Sequence, residues 1–111
     1  MLQELLLELV KRAHAEQAVT VASMEDGVHM LVYPLDDGVL VGIGLEGAHA
    51  ASVDPARLLH KRASNMALYG GWLPAQLQDG AWYVLKRVAR SGLDVLAHDE
   101  RDLEAAAELI S

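Results

Sequence analysis

Ala18–Gly47, AVTVASMEDGVHMLVYPLDDGVLVGIGLEG, is the stretch whose reading decides the fold. It predicts three strands joined by tight turns. The first runs from Ala18 to Met24 and closes on Glu25-Asp26-Gly27. The second runs from Val28 to Tyr33 and closes on Pro34-Leu35-Asp36-Asp37-Gly38. The third runs from Val39 to Leu45. Gly accepts positive φ and Asp bonds to its own backbone, so Asp-Gly and Asp-Asp-Gly are hairpin chemistry. Val, Ile, Leu and Tyr fill the strands between them, as a pleated surface favours. Strands joined by such short turns are antiparallel.

In the third strand Val39, Val41, Ile43 and Leu45 share one face, opposite Leu40, Gly42 and Gly44. The glycines leave that second face shallow, and a packed helix is its expected neighbour. Gly42-Ile43-Gly44-Leu45-Glu46-Gly47 also spells G-x-G-x-x-G. A dinucleotide fingerprint needs a helix that opens within the motif and points its N-terminus at the pyrophosphate. Here the helix signal, Asp54-Pro55, comes several residues after Gly47. The glycines therefore read as strand and turn residues, and no cofactor is expected.

Outward from this meander, Leu2, Leu5, Leu6, Leu9, Val10 and Ala13 recur at helical spacing, predicting a helix from residue 2 to about 17. Residues 48–53 read as a small-residue connector. Asp54 as N-cap and Pro55 at the first helical position open a second helix, expected to run to about Leu68 and to stop at Gly70-Gly71. Trp72 to Leu77 reads as a fourth strand, and Pro74 assigns it to an edge or bulge. Gln78-Asp79-Gly80 turns into a fifth strand, Ala81 to Ala89. Ser91-Gly92 breaks it, and Leu93, Val95 and Leu96 form an apolar connector. Asp99 caps a last helix, Glu100 to Ile110. The expected fold class is α+β: α-βββ-α-ββ-α in one domain over residues 1–111, an antiparallel twisted sheet packed by helices.

The totals narrow the function. Nine Lys and Arg against sixteen Asp and Glu give a net charge of −7. That balance repels phosphate backbones and anionic lipid, so neither nucleic acid nor membrane is an expected partner. There are no cysteines, which excludes disulfides, thiolate catalysis and Cys-based zinc sites. Glutamates sit where a signal peptide would be basic, and no apolar run reaches membrane-spanning length, so a soluble, unprocessed protein is expected. The apolar fraction of 52% leaves surface over for a partner or a second copy.

Catalysis finds no support. His14, His29, His49, His60 and His98 show no i,i+3 or i,i+4 pairing. The pairs Glu25-Asp26 and Asp36-Asp37 each precede a turn glycine and read as turn formers. No Ser or Thr lies in a nucleophile-elbow setting. Catalytic and metal residues are expected to be none. Tyr69, Trp72, Trp82 and Tyr83 concentrate in one third of the chain. They read as core, with some of them offered as interface anchors.

The order of elements, the size, the acidity and two motifs resemble a known family. The motifs are Asp54-Pro55-Ala56-Arg57-Leu58-Leu59 leading to Asn65-Met66-Ala67-Leu68, and Val84-Leu85-Lys86-Arg87-Val88 leading to Asp99-Glu100-Arg101-Asp102-Leu103. The chain is similar to the small acidic effector chaperones of bacterial type III secretion, the class I, Tir-chaperone-like family. The resemblance implies a non-enzymatic dimer in the bacterial cytoplasm. It would bind the N-terminal extended segment of a secreted effector and keep it soluble and export-competent. Homodimer is the expectation, and a heterodimer would look the same. By the same analogy Leu5, Leu9, Val19 and Val21 are the partner-binding residues, and Met66, Tyr69, Trp72, Leu73 and Leu77 form the dimer interface. The alternative is an unrelated α+β interaction or regulatory module that binds a folded partner.

Overall fold

The computed structural model describes residues 2–89 and 100–111. Its elements are α1 (Leu2–Glu16), β1 (Thr20–Ser23), β2 (Val28–Leu35), β3 (Gly38–Leu45), α2 (Gly47–Ala51), α3 (Pro55–Ser64), α4 (Met66–Tyr69), β4 (Leu73–Gln76), β5 (Trp82–Ala89) and α5 (Glu100–Ile110). The five strands form one antiparallel sheet in the order β1-β2-β3-β5-β4. The α+β class and the antiparallel meander thus stand as expected.

The turns follow the residues that make them. Asp26 and Gly27 both take positive φ, 59° and 76°, and the Met24 amide closes the loop on the Val28 carbonyl. Asp36-Asp37 is a two-residue turn, because Leu35 already pairs with Gly38. Asp54 accepts from the amides of Ala56 and Arg57, with Pro55 first in the helix it caps.

Three expectations are corrected. The small-residue connector expected over residues 48–53 is in part helical, since Gly47 at φ 58° starts a short helix through Ala51. The second helix does not reach Leu68. Asn65, at φ −147°, breaks it, and its side chain accepts from the Leu68 amide to cap α4. Asn competes with the helical backbone for such bonds, and here it wins. The first strand is shorter than read, Thr20–Ser23. The Ser91-Gly92 break, the Leu93–Leu96 connector and the Asp99 cap lie outside the described residues.

Among the described residues, the buried side chains of α1 and α5 pack on one face of the sheet. Leu6, Leu9 and Ala13 of α1 and Leu103, Ala106 and Leu109 of α5 join Met30, Val32, Val41, Ile43 and Val84 in the core. The Thr20 hydroxyl points to that face and donates to the Leu9 carbonyl at 3.0 Å. Glu100 of α5 reaches across to accept from the amides of Leu2 and Gln3, capping α1 from another helix. Burial opposes ionisation of Glu100 and the amide bonds favour it, and the net shift holds its carboxyl below the usual range. No helix of the described residues is long and apolar enough to cross a membrane.

Two polar clusters fix the second half of the chain. Arg62 donates to the carbonyls of Trp72 and Gly70, each at 2.9 Å, and so ties α3 to the turn before β4. Asp102 of α5 accepts from the Trp72 indole at 3.2 Å and from Lys86 at 2.7 Å. Lys86 also stands 5.6 Å from the Trp72 ring centroid. Removing Asp102 takes this acceptor from the buried Trp72 indole and the half-buried Lys86 ammonium. Asp102→Ala is therefore expected to lower stability by about 2–3 kcal/mol, measured as a lower urea midpoint at unchanged slope.

Candidate functional site

With α1 and α5 on one face, the other carries a row fixed by strand register. Val21 pairs with Leu31, Leu31 with Gly42, Gly42 with Leu85, and Leu85 with Leu73. These residues lie side by side across all five strands, on the face opposite Thr20. The ends of the row are the most open: Val21 is 45% exposed and Leu73 62%. Leu31 and Leu85 are half-buried, and Tyr33, on the same face, is exposed. Its centre is closed, with Gly42 and Tyr83 buried, and its two ends are open.

Gly42 and Gly44 are not the floor of a vacant cradle. A Cβ on Gly44 would stand 2.2 Å from the Trp82 carbonyl oxygen and 2.5 Å from Cγ of Tyr83. One on Gly42 would stand 3.2 Å from the Tyr83 ring. The glycines therefore make room for Tyr83 to lie flat across β3. This corrects the expectation of a packed helix: a side chain from the neighbouring strand covers the glycines. The Tyr83 hydroxyl donates to Glu46. The strand before Gly47 is antiparallel to both neighbours, and the helix after it has only five residues. A phosphate-binding turn has neither feature.

The sheet has two edges, and they differ. Antiparallel pairing makes alternate residues bond inward and outward. The Met24 amide bonds to Val28, so Thr20 and Ala22 bond inward, while Val21 and Ser23 turn their backbone groups to the open side of β1. On β4 the Leu77 amide bonds to Ala81, which makes Pro74 and Gln76 the outward positions. Proline has no donor, so β4 is blunted against a further strand and β1 is not. Grooves lie at both ends of β1. One of about 320 Å³ is lined by His14, Gln17, Val19, Tyr33 and Asp36 among others. The other, at the Met24–Val28 end, is about 620 Å³.

The expected partner-binding residues divide. Val19 and Val21 are exposed at the open edge. Leu9 is fully buried and Leu5 half-buried against the core, because α1 covers the inner face while Val21 lies on the outer one. Leu9 is thus a core residue, and its truncation to Ala would cost about 2–5 kcal/mol of stability. The expected dimer residues divide too. Met66, Leu73 and Leu77 are exposed, while Tyr69 and Trp72 are buried. Trp72 belongs to the interior because its indole finds Asp102 there. Leu31, Tyr33 and Leu85 were missed. The alternation His29-Leu31-Tyr33 carried the signal, but only the pairing register places it beside Val21.

No family model, curated protein or solved structure matches this chain.

Tyr83 gives the outer face a pH signature. Burial first, then the bond to Glu46 and the charges of Glu46 and Asp79, raise its hydroxyl well above the ordinary phenol value. The neutral phenol is the form that the fold favours. Its contribution is intact below the unfolded pKa and is lost as pH rises past that value towards the higher folded one. Urea unfolding at about pH 9 and about pH 11 should show wild type losing more stability than Tyr83→Phe, since Tyr in the unfolded chain ionises near 10.

Proposed function

We propose that this chain is a non-catalytic binding protein that holds an extended segment of a partner chain along β1, in the manner of the type III secretion effector chaperones it resembles. The observation that carries this reading is the unblunted edge of β1 beside the exposed apolar side chains of Val21 and Tyr33. An extended segment adds to such an edge through main-chain hydrogen bonds, which are indifferent to its sequence. Its alternate side chains then fall beside Val21 and Tyr33 on the outer face. In the chaperone reading, the segment is the N-terminal region of a secreted effector. The chain holds it in the bacterial cytoplasm, unfolded and competent for export.

Pairing of two copies through Met66, Leu73 and Leu77 fits this reading. All three are exposed; Leu73 lies on β4, at the opposite edge from β1, Leu77 follows it and Met66 opens the short α4 before it. A homodimer, or a heterodimer with a similar chain, would leave both β1 edges free. One observation favours the second reading, a regulatory module that docks a folded partner. The apolar row spans all five strands, wider than one added strand covers.

Selection from a displayed library of unstructured segments tests the first reading. Binders of the wild type are expected to lose roughly tenfold or more in affinity on Val19→Asp/Val21→Asp. Val21→Pro, which deletes an outward donor and no ladder bond, should abolish the same binding in a protein that still folds. Selected segments that bind both folded variants as tightly as wild type would refute the β1 edge as the site.

A further inference from the structure

The groove at the Met24–Val28 end of β1 has a composition of its own. Leu2, Met24, Val28 and Ala107 line it with buried or half-buried apolar surface. Asp26, Glu104 and Glu108 line it too, and all three are exposed. No Lys, Arg or His is among its described lining residues. Glu104 and Glu108 stand one turn apart on α5, in series with Glu100, which is engaged by the amides of Leu2 and Gln3. Like charges at this spacing repel, so the helix gains nothing internally from them. On the other side of α5 lies a groove of about 530 Å³ that shares only Ser111 with the first and is lined by Arg57, His60 and Lys61, with the capping Asp54 as its one acidic side chain. The helix thus separates an acidic groove from a basic one, and the acidic one abuts the open strand.

We propose that the acidic groove takes a basic, apolar-anchored stretch of the segment held on β1. An apolar side chain would pack on Met24, Val28 and Ala107, and a neighbouring Lys or Arg would meet Asp26, Glu104 and Glu108. This inference rests on the strand-edge reading above and adds the substrate's chemistry to it. The carboxylates suit a long cationic side chain better than a metal ion. Among the described residues no three His, Asp or Glu side chains converge closely enough to hold one. Apolar floor and acidic rim together demand both features in one ligand, because charge alone binds weakly where solvent screens it.

Synthetic peptides of alternating Leu/Lys, Leu/Glu and Ser/Lys test the idea, with affinity read by fluorescence anisotropy and the site read by amide NMR shifts. The Leu/Lys peptide should bind most tightly and shift Met24, Val28 and Ala107. It should lose roughly tenfold on Glu104→Lys/Glu108→Lys and much less on Glu8→Lys/Glu16→Lys, which changes net charge equally at exposed positions outside the groove lining. Equal loss in the two variants, or a Ser/Lys or Leu/Glu peptide binding as tightly, would overturn the proposal. Shifts at Val21 and Ser23 that are indifferent to peptide charge would overturn it while leaving the strand-edge reading in place. Shifts at the groove without any at Val21 or Ser23 would support the groove and overturn the edge. Groove shifts that follow protein concentration alone would assign it to a second copy of the chain and overturn the proposal.

Discussion

Asp102 sits between the Trp72 indole and the Lys86 ammonium, and this cluster ties α5 to the sheet. A carboxylate in a partly dry site is costly unless both donors stay in place, so the contact sets where α5 lies and in which rotation. Much follows from that placement. Glu100, at the start of the same helix, caps α1. Together α1 and α5 cover one face of the sheet with Leu6, Leu9, Leu103 and Leu109. Arg62 holds the corner that delivers Trp72 to the cluster. α1 and α5 are therefore committed to one side, and the row from Val21 to Leu73 is left on the other.

That one-sidedness is what gives the surface its binding character. An antiparallel sheet tolerates one solvated face, but such a face is ordinarily polar. Here Val21, Leu31, Tyr33, Leu85 and Leu73 share it with Ser23, His29 and Arg87. The fold also treats its edges unequally. Pro74 removes a donor from the open side of β4, whereas Val21 and Ser23 keep theirs on β1. An exposed edge invites aggregation, and proteins ordinarily protect it. β1 is only four residues long, which limits that hazard while leaving room for one added strand.

The meander was legible in the sequence because its signals are local. Asp26-Gly27 and Asp36-Asp37 specify their turns, and Val39 to Leu45 alternates plainly. Asp54-Pro55 marked its helix for the same reason. The break at Asn65 was not legible, since a lone Asn within an apolar-periodic run is compatible with a helix until its side chain is seen to cap the next turn. The site was only half legible. Val19 and Val21 carry their exposure in the strand pattern, but Leu9 and Trp72 look no different from surface anchors until α1 and Asp102 are in place. The use of Gly42 and Gly44 was hidden for a related reason. Tyr83 lies far along the chain, and only the pairing of β3 with β5 sets its ring on them.

The central claim is that β1 receives an extended chain, and amide hydrogen exchange tests it most directly. Val21 and Ser23 should exchange freely in the unbound protein. With a library-selected segment bound, both should become protected, while Gln76 on the opposite edge stays unchanged. Protection confined to β4 or to the helices, with Val21 and Ser23 still exchanging freely in the saturated complex, would contradict the account.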